Sequence, residues 1–176
     1  MVNRPEKALK VVYKDEGHLV RGVSSLIAGV HMRRARVIPD ERGRLGEIFR
    51  CDDPLFEKFG QVYFTTTFPG VIKAWHYHKV QTDWVYVVQG LIKMALYDER
   101  EGSPTFGEIN ELYLGEHCPA RVKIPPGVYH GWICVSEREA IIVNVPTEPY
   151  NYENPDEYRL HPHDNHIPYL WERRDG

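Results

Sequence analysis

Residues 70–90 are GVIKAWHYHKVQTDWVYVVQG, and this stretch predicts two short β-strands joined by a loop. Aromatic and β-branched residues dominate it, and Gly70 and Gly90 mark turns at its two ends. His76 and His78 stand two positions apart, so on a strand both imidazoles project from the same face. Asp83 follows beyond the loop and begins the next strand. The stretch therefore predicts two imidazoles and a carboxylate close together.

The rest of the chain continues the pattern of short apolar runs between turns. Of its 176 residues, 42% are hydrophobic, and Gly 14 and Pro 13 supply many turns. A turn signal about every 8–12 residues is typical of an all-β sandwich or barrel. We expect a short helix at Asp53–Phe59, with Asp52 or Asp53 as its N-cap. We also expect an N-terminal arm (1–28), which could be partly helical, one domain (29–176), and an aromatic tail after Pro146 that wraps the β body.

Several classes of protein are excluded by composition. A net charge of −3 gives no general attraction to nucleic acid or to anionic membranes. No apolar run approaches the roughly 20 residues that a membrane-spanning helix needs. The first residues are too charged for a signal peptide, and the 3 cysteines are too few for a disulfide framework. We therefore expect a cytoplasmic protein with neither nucleic acid nor a membrane as its partner.

A second element, Ile124–Trp132 (IPPGVYHGW), places His130 just after the tight turn Pro125-Pro126-Gly127. Two imidazoles, a carboxylate and a third imidazole form a ligand set suited to a divalent transition metal. The spacing of these residues resembles the cupin pattern, with Asp83 in the usual Glu place. That resemblance implies a double-stranded β-helix, or jelly roll. The candidate metal ligands are His76, His78, Asp83 and His130, with Fe, Mn, Ni or Zn as the ion.

A broader resemblance extends over residues 29–171. The motifs that carry it appear in a fixed order: Asp40–Glu47, Gln61, Gly70–His78, Tyr97–Gly107, Ile124–Trp132 and Asp164–Trp171. Together they are similar to the dTDP-4-dehydrorhamnose 3,5-epimerase family, a branch of the cupins that acts on nucleotide-linked 4-keto sugars. The resemblance implies a homodimer, a nucleotide-sugar substrate, a role in polysaccharide or glycoside biosynthesis and, for epimerisation, no cofactor.

Epimerisation next to a ketone requires a base, a group that stabilises the developing enolate, and an acid on the opposite face. The resemblance implies that His76 is the base, that Asp164 orients it, and that His130 lies near the sugar and the base. The substrate-binding positions implied by the resemblance are Arg42, Glu47, Gln61, Lys73 and Trp132.

Four positions depart from the family. Lys73 stands in place of an Arg and His78 in place of a Gln, and the other two replace catalytic residues. Asp83 stands where the family has its oxyanion-stabilising Lys, and Val143 falls on the position of its acid Tyr. A negative Asp83 would oppose an enolate, whereas a cation bound there would replace the lost Lys. His76 cannot be both a metal ligand and a free base, so these hypotheses compete for one residue.

Three functions consequently stand open at this point. The first is a sugar-nucleotide epimerase or isomerase, and the second is a metal-dependent cupin enzyme with different chemistry. The third is a catalytically silent sugar-binding cupin, motivated by the loss of both the Lys and the Tyr.

Overall fold

The computed structural model describes residues 11–13, 19–22 and 26–172, and this part of the chain is all-β, as expected. The two strands predicted within residues 70–90 are present as Ile72–Tyr77 and Asp83–Gln89. In chain order the strands are β1 (Val11–Tyr13), β2 (Leu19–Gly22), β3 (His31–Arg34), β4 (Val37–Asp40), β5 (Gly43–Gly46), β6 (Tyr63–Thr67), β7 (Ile72–Tyr77), β8 (Asp83–Gln89), β9 (Leu91–Asp98), β10 (Ile109–Gly115), β11 (Ala120–Ile124), β12 (Val128–Cys134), β13 (Ala140–Asn144) and β14 (Tyr158–Arg159).

Two antiparallel sheets form the body. A seven-stranded sheet has the order β1-β2-β10-β9-β12-β7-β14, and a five-stranded sheet has the order β3-β11-β8-β13-β6. The pairing of strands distant in sequence, such as β8 with β13 and β9 with β12, agrees with the predicted jelly roll. A separate hairpin, β4–β5, stands apart from both sheets in its pairing.

The main core lies between the inner faces of these sheets. Strand β9 contributes Ile92, Met94 and Leu96, which are fully buried at alternating positions. Val85 and Val87 of β8 belong to the same cluster. Alternation places these side chains on one face of each strand, because successive residues in a strand point to opposite sides. Burial of this apolar surface is the main force that holds the two sheets together.

A close approach of β12 to β7 sets the relative position of two predicted site residues. A Cβ at Gly131 would come within 2.3 Å of the Cβ of Ala74, so only glycine fits there. The register between the two strands shifts between His130 and Trp132 at this point. The result is that His130 pairs directly with His76.

The C-terminal segment wraps the outer face of the seven-stranded sheet, as predicted. Ile167, Tyr169 and Trp171 are buried in a second cluster with Trp75. The Trp75 and Trp171 rings lie 5.0 Å apart, centroid to centroid. In addition, β14 pairs with the edge of β7.

The prediction of a short helix at Asp53–Phe59 is wrong, and so is the expectation of short helical segments more generally. The described residues contain no helix, and therefore none that could cross a membrane. Asp53 makes only a local turn, in which its carboxylate accepts from Leu55 N and its carbonyl from Phe56 N. The same carboxylate pairs with Arg33 and Arg121, so tertiary contacts replace the helical cap.

The predicted N-terminal arm includes two strands. β1 and β2 pair with each other, and β2 pairs with β10, so they extend the seven-stranded sheet. The remaining residues before position 26 lie outside the described part of the chain, and the division at residue 28 stays a prediction.

Candidate active site

The predicted histidines lie at one end of the space between the two sheets. His76 on β7 and His130 on β12 come from the seven-stranded sheet, and their ring centroids are 6.0 Å apart. His78 follows β7, with its ring centroid 5.6 Å from that of His130. Asp83 enters from the opposite sheet as the first residue of β8. The structure thus brings together all four residues expected from the motif.

Asp83 is the buried centre of this cluster. Its Oδ2 lies 3.3 Å from His78 Nε2 and 3.5 Å from His130 Nε2. Its Oδ1 accepts a hydrogen bond of 2.9 Å from Gln81 Nε2. Burial alone would raise the pKa of the Asp83 carboxyl, but the neighbouring histidines, His78 foremost, outweigh burial and hold that pKa below its ordinary value.

His78 has a hydrogen-bond acceptor beside each ring nitrogen. Nε2 faces Asp83, and Nδ1 makes a short contact with the Asp156 carbonyl oxygen. Burial opposes a charge on this ring, but the carboxylate and the carbonyl outweigh burial and raise the pKa of His78. The shifts at His78 and Asp83 both favour the charged forms of these side chains. A charged His78 would offset the negative charge that Asp83 places where the resemblance implies a Lys.

His76 has the opposite electrostatic environment. Burial, followed by the nearby His130 and Arg159, lowers the pKa of His76 to about 3. Burial likewise lowers the pKa of His130, whose Nδ1 lies 3.1 Å from the Val128 carbonyl oxygen. His76 is consequently neutral near pH 7 and keeps a lone pair on its ring, as a base requires.

Three of the four candidate metal ligands form a compact group. The ligand atoms of His78, Asp83 and His130 all lie within 4.8 Å of one another, and His76 is not in this group. Two nitrogens and one oxygen are a suitable ligand set for a divalent transition metal, and these three residues would hold it. His76, the expected fourth ligand, therefore lies outside the group formed by the other three.

Asp164 does not reach His76. Its residue is exposed, and its backbone N–H donates to His161 Nδ1 over 3.0 Å. Within residues 26–172, no hydrogen bond or ion pair joins Asp164 to His76. The segment turns back on itself instead, and Asn165 Nδ2 donates to the His161 carbonyl oxygen. The implied His–Asp dyad is therefore not formed in this structure.

The predicted substrate-binding residues are dispersed. Trp132 is buried beside His76, at 6.2 Å between ring centroids, and its indole N–H donates to Thr67 Oγ1. Gln61 accepts from the Tyr150 backbone N–H. Lys73 Nζ donates to Thr65 Oγ1 and to the Thr66 carbonyl oxygen, so its ammonium binds β6.

Arg42 and Glu47 make their contacts outside the histidine cluster. Arg42, on the β4–β5 hairpin, pairs with Asp40, and Glu47 pairs with Arg50. Glu47 and Arg50 line a groove of about 540 Å³ together with Val62, Val143 and Val145. The described residues show no hydrogen bond or ion pair from Arg42 or Glu47 to the histidine cluster.

Val143, the position expected for the acid Tyr, faces this outer groove. On β13 the fully buried positions are Ala140 and Ile142, and alternation places Asn144 on the same inner face. Asn144 Nδ2 donates a 2.7 Å hydrogen bond to the hydroxyl oxygen of Tyr63 on β6. Sequence reasoning missed Tyr63 and Asn144. The alternation of β6 and β13 was the signal that could have found them.

Comparison with known proteins places this geometry in a family. A family model described as dTDP-4-dehydrorhamnose 3,5-epimerase matches residues 24–175. The chain is 39% identical over 136 residues to the "Probable low-salt glycan biosynthesis epimerase Agl13" of Haloferax volcanii, covering 76% of this chain and 87% of that protein. It is also 39% identical over 146 residues to the spore coat polysaccharide biosynthesis protein SpsL of Bacillus subtilis, covering 83% and 97%.

A solved structure has the same architecture. The dTDP sugar isomerase of Desulfovibrio desulfuricans superposes with a TM-score of 0.79 at 31% sequence identity. The match covers 85% of this chain and 94% of that one.

Proposed function

The chain belongs to the dTDP-4-dehydrorhamnose 3,5-epimerase family and is a sugar-nucleotide epimerase or isomerase, and from this premise we propose that His76 is its catalytic base. His76 removes the acidic proton from the carbon next to the substrate ketone. The observation that carries the proposal is the position of His76: a neutral, half-buried imidazole between the sheets, outside the Asp83 cluster.

The substrate that we propose is a dTDP-linked 4-keto-6-deoxyhexose, and the product serves glycan or polysaccharide synthesis. The description of the family and the dTDP sugar isomerase of known structure support the nucleotide and the sugar class. The names of the Haloferax and Bacillus relatives support the biosynthetic role. Membership of the family also agrees with the expectation that epimerisation needs no cofactor.

The electrostatics of the pocket suit this reaction. Removal of the proton leaves an enolate, which requires a nearby positive charge or hydrogen-bond donors. The raised pKa of His78 favours a positive charge on that ring, and Asp83 lies beside the ring at 3.3 Å. A base with a pKa of about 3 is weak, but a negatively charged substrate and the developing enolate raise the pKa of His76 as the reaction proceeds.

Exchange of substrate protons with solvent deuterium tests His76. With dTDP-4-keto-6-deoxyglucose in D₂O, wild-type protein replaces the C–H hydrogen next to the ketone, and His76→Asn abolishes the exchange, by at least about 1,000-fold. His117→Asn, which changes an exposed histidine, is the matched control and retains full exchange. Undiminished exchange in His76→Asn, or none in the wild type, contradicts the proposed function.

A second candidate is a metal-dependent cupin enzyme, which the convergence of His78, Asp83 and His130 favours. A metal held by these residues would act as a Lewis acid toward the substrate oxygen. Protein purified without a His tag would then contain close to one equivalent of Fe, Mn, Ni or Zn. Added Zn²⁺ would also raise its melting temperature, and Asp83→Asn would abolish that rise. Less than about a tenth of an equivalent together with no thermal shift excludes this candidate.

The alternative of a silent sugar-binding protein is excluded by any turnover in the exchange experiment. The homodimer and the cytoplasmic location expected from the sequence remain predictions. Sedimentation of the purified protein tests the first, and fractionation of cells tests the second.

A further inference from the structure

Strand β6 presents a row of polar side chains to the seven-stranded sheet. Thr67 Oγ1 accepts from the indole N–H of Trp132 on β12, at 2.9 Å. Two positions earlier, Thr65 Oγ1 accepts from Lys73 Nζ on β7, at 2.8 Å. Trp132 and Lys73 are themselves cross-strand partners. Because side chains alternate along a strand, Tyr63 is the next residue in this inward-facing row.

The Tyr63 hydroxyl extends this row to the Asp83 cluster. Its oxygen accepts the 2.7 Å hydrogen bond from Asn144 Nδ2, and Asn144 is the cross-strand partner of Tyr63. Asn144 is buried and also helps to lower the pKa of Asp83 through hydrogen bonding. The charges of Asp83 and Arg159 act on both Tyr63 and His76, so the two side chains share one electrostatic environment.

The Tyr63 O–H hydrogen is unused. Asn144 is the donor in its contact, so the phenolic oxygen serves there as acceptor. Among residues 26–172 the hydroxyl has no acceptor for its own hydrogen. The residue remains 43% exposed although its hydroxyl lies beside the buried amide of Asn144.

Inversion at carbon needs an acid on the face opposite the base. Val143, the position that the family comparison suggested for an acid, faces the outer groove and cannot supply it. Tyr63 belongs to the five-stranded sheet and His76 to the seven-stranded sheet, so the two side chains approach the space between the sheets from opposite sides. Tyr63 therefore places a phenol, which can donate a proton, on the side of the space opposite His76, whereas Val143 has no proton to donate.

We propose that Tyr63 is the catalytic acid that delivers a proton to the face of the substrate opposite His76. The inference rests on the proposed function and adds the group that makes the reaction an inversion. His76 takes the C–H proton, and the C–H electron pair becomes the enolate. The phenol O–H bond then breaks, and its proton forms a new C–H bond on the other face. Tyr63 is left as phenolate, which regains a proton from water, and the His76 imidazolium releases one to water.

The surroundings of Tyr63 suit both halves of this cycle. Burial, followed by the charge of Asp83, raises the pKa of Tyr63 to about 12, so the phenol carries its proton before the reaction. The Asn144 N–H points at the oxygen on which negative charge develops, and Arg159 places positive charge nearby. Both stabilise the phenolate while it exists.

Tyr63→Phe separates exchange from inversion. With dTDP-4-keto-6-deoxyglucose in D₂O, followed by ¹H NMR, we expect Tyr63→Phe to exchange the proton next to the ketone within about ten-fold of the wild-type rate. His76 can still remove a proton and return deuterium on its own face. Formation of the inverted sugar falls by at least about 100-fold, the usual contribution of an acid.

Tyr152→Phe is the matched control, because that tyrosine is 90% exposed, and it should match the wild type in both measurements. Tyr63→Phe removes one oxygen atom, and an unchanged melting temperature verifies its fold. Inverted product within three-fold of the wild-type rate overturns the assignment, and so does loss of exchange together with inversion. Exchange that survives in His76→Asn refutes the proposed function instead, and the Tyr63 assignment falls with it.

Discussion

Two buried aspartates, Asp83 at the start of β8 and Asp98 at the end of β9, show how the same residue type serves two purposes. Asp98 accepts from Arg100 Nε at 2.8 Å and from the hydroxyls of Ser103 and Thr105, both at 2.6 Å. These donors lie within seven residues of Asp98 in sequence. The carboxylate is fully buried and paired, and it fixes the loop between β9 and β10.

Asp83 is equally buried but differently satisfied. Neutral donors from Gln81 and Asn144 contact it, and two imidazoles lie at 3.3 and 3.5 Å. His130 comes from a strand far away in sequence, and both imidazoles lie beside the cleft. A carboxylate enclosed by local donors stabilises a loop, whereas one shared between titratable groups from different strands is available for chemistry.

The largest expected effect is a loss of folding stability when Asp98 is changed. Asp98→Asn keeps the volume of the side chain but removes the negative charge that Arg100 pairs with. It also replaces the oxygen that accepts from Ser103 and Thr105 with an NH2 group, which cannot accept. We expect the free energy of unfolding to fall by about 3 kcal/mol, because breaking a buried pair leaves a group uncompensated. Urea denaturation measures the loss, while kcat of the folded fraction stays at the wild-type value. A large fall in kcat would show that Asp98 also serves the site.

This stability difference should depend on pH. Burial would raise the pKa of Asp98, but hydrogen bonds from Arg100, Ser103 and Thr105 outweigh burial and hold it well below its ordinary value of 3.8. The stabilisation is therefore fully present above about pH 5 and is lost as the pH falls below the unfolded-state pKa. Unfolding of wild-type and Asp98→Asn protein, compared between pH 7 and pH 3, should show the gap narrowing only in acid. A constant gap refutes this account.

Asp83→Asn should lower activity more than stability, which is the reverse of the result expected for Asp98→Asn. We expect a stability loss of about 1 kcal/mol, because fewer strong hydrogen bonds are removed. Turnover should fall at least about ten-fold, since His78 loses its charged partner and both rings lose an anchor. Denaturation and steady-state kinetics on one protein preparation measure both quantities. A stability loss as large as that of Asp98→Asn would contradict the conclusion that Asp98 serves stability and Asp83 serves activity.

The smallest effect tests how the Asp98 contacts share the stabilisation. Ser103→Ala removes one hydroxyl from a carboxylate that keeps its Arg100 and Thr105 contacts. We expect a loss of about 1 kcal/mol with unchanged kcat. Ser136→Ala is a useful companion, because its hydroxyl accepts from Leu91 N outside either aspartate site. Equal losses in both variants would indicate that Asp98 is not a special anchor.

The histidine motif shows how far sequence reasoning extends toward the site. The spacing of His76, His78 and Asp83, and the turn before His130, correctly predicted that these residues meet. What the spacing could not predict is the division within the cluster, which leaves His76 outside the group formed by the other three. The division is a matter of tertiary packing, because Asp83 comes from the five-stranded sheet whereas His76 and His130 come from the seven-stranded sheet.

The sequence by itself determined the all-β class, the positions of most strands and the family, because alternation, turn residues and motif spacing are local signals. Only the tertiary structure decided that Asp53 forms ion pairs instead of capping a helix. It also decided that Asp164 does not contact His76 and that the Tyr63 hydroxyl accepts a hydrogen bond from Asn144. Each of these depends on which distant strands become neighbours, and on which face of its strand a residue occupies. A shift of one residue in register reverses that face, and long-range packing sets the register.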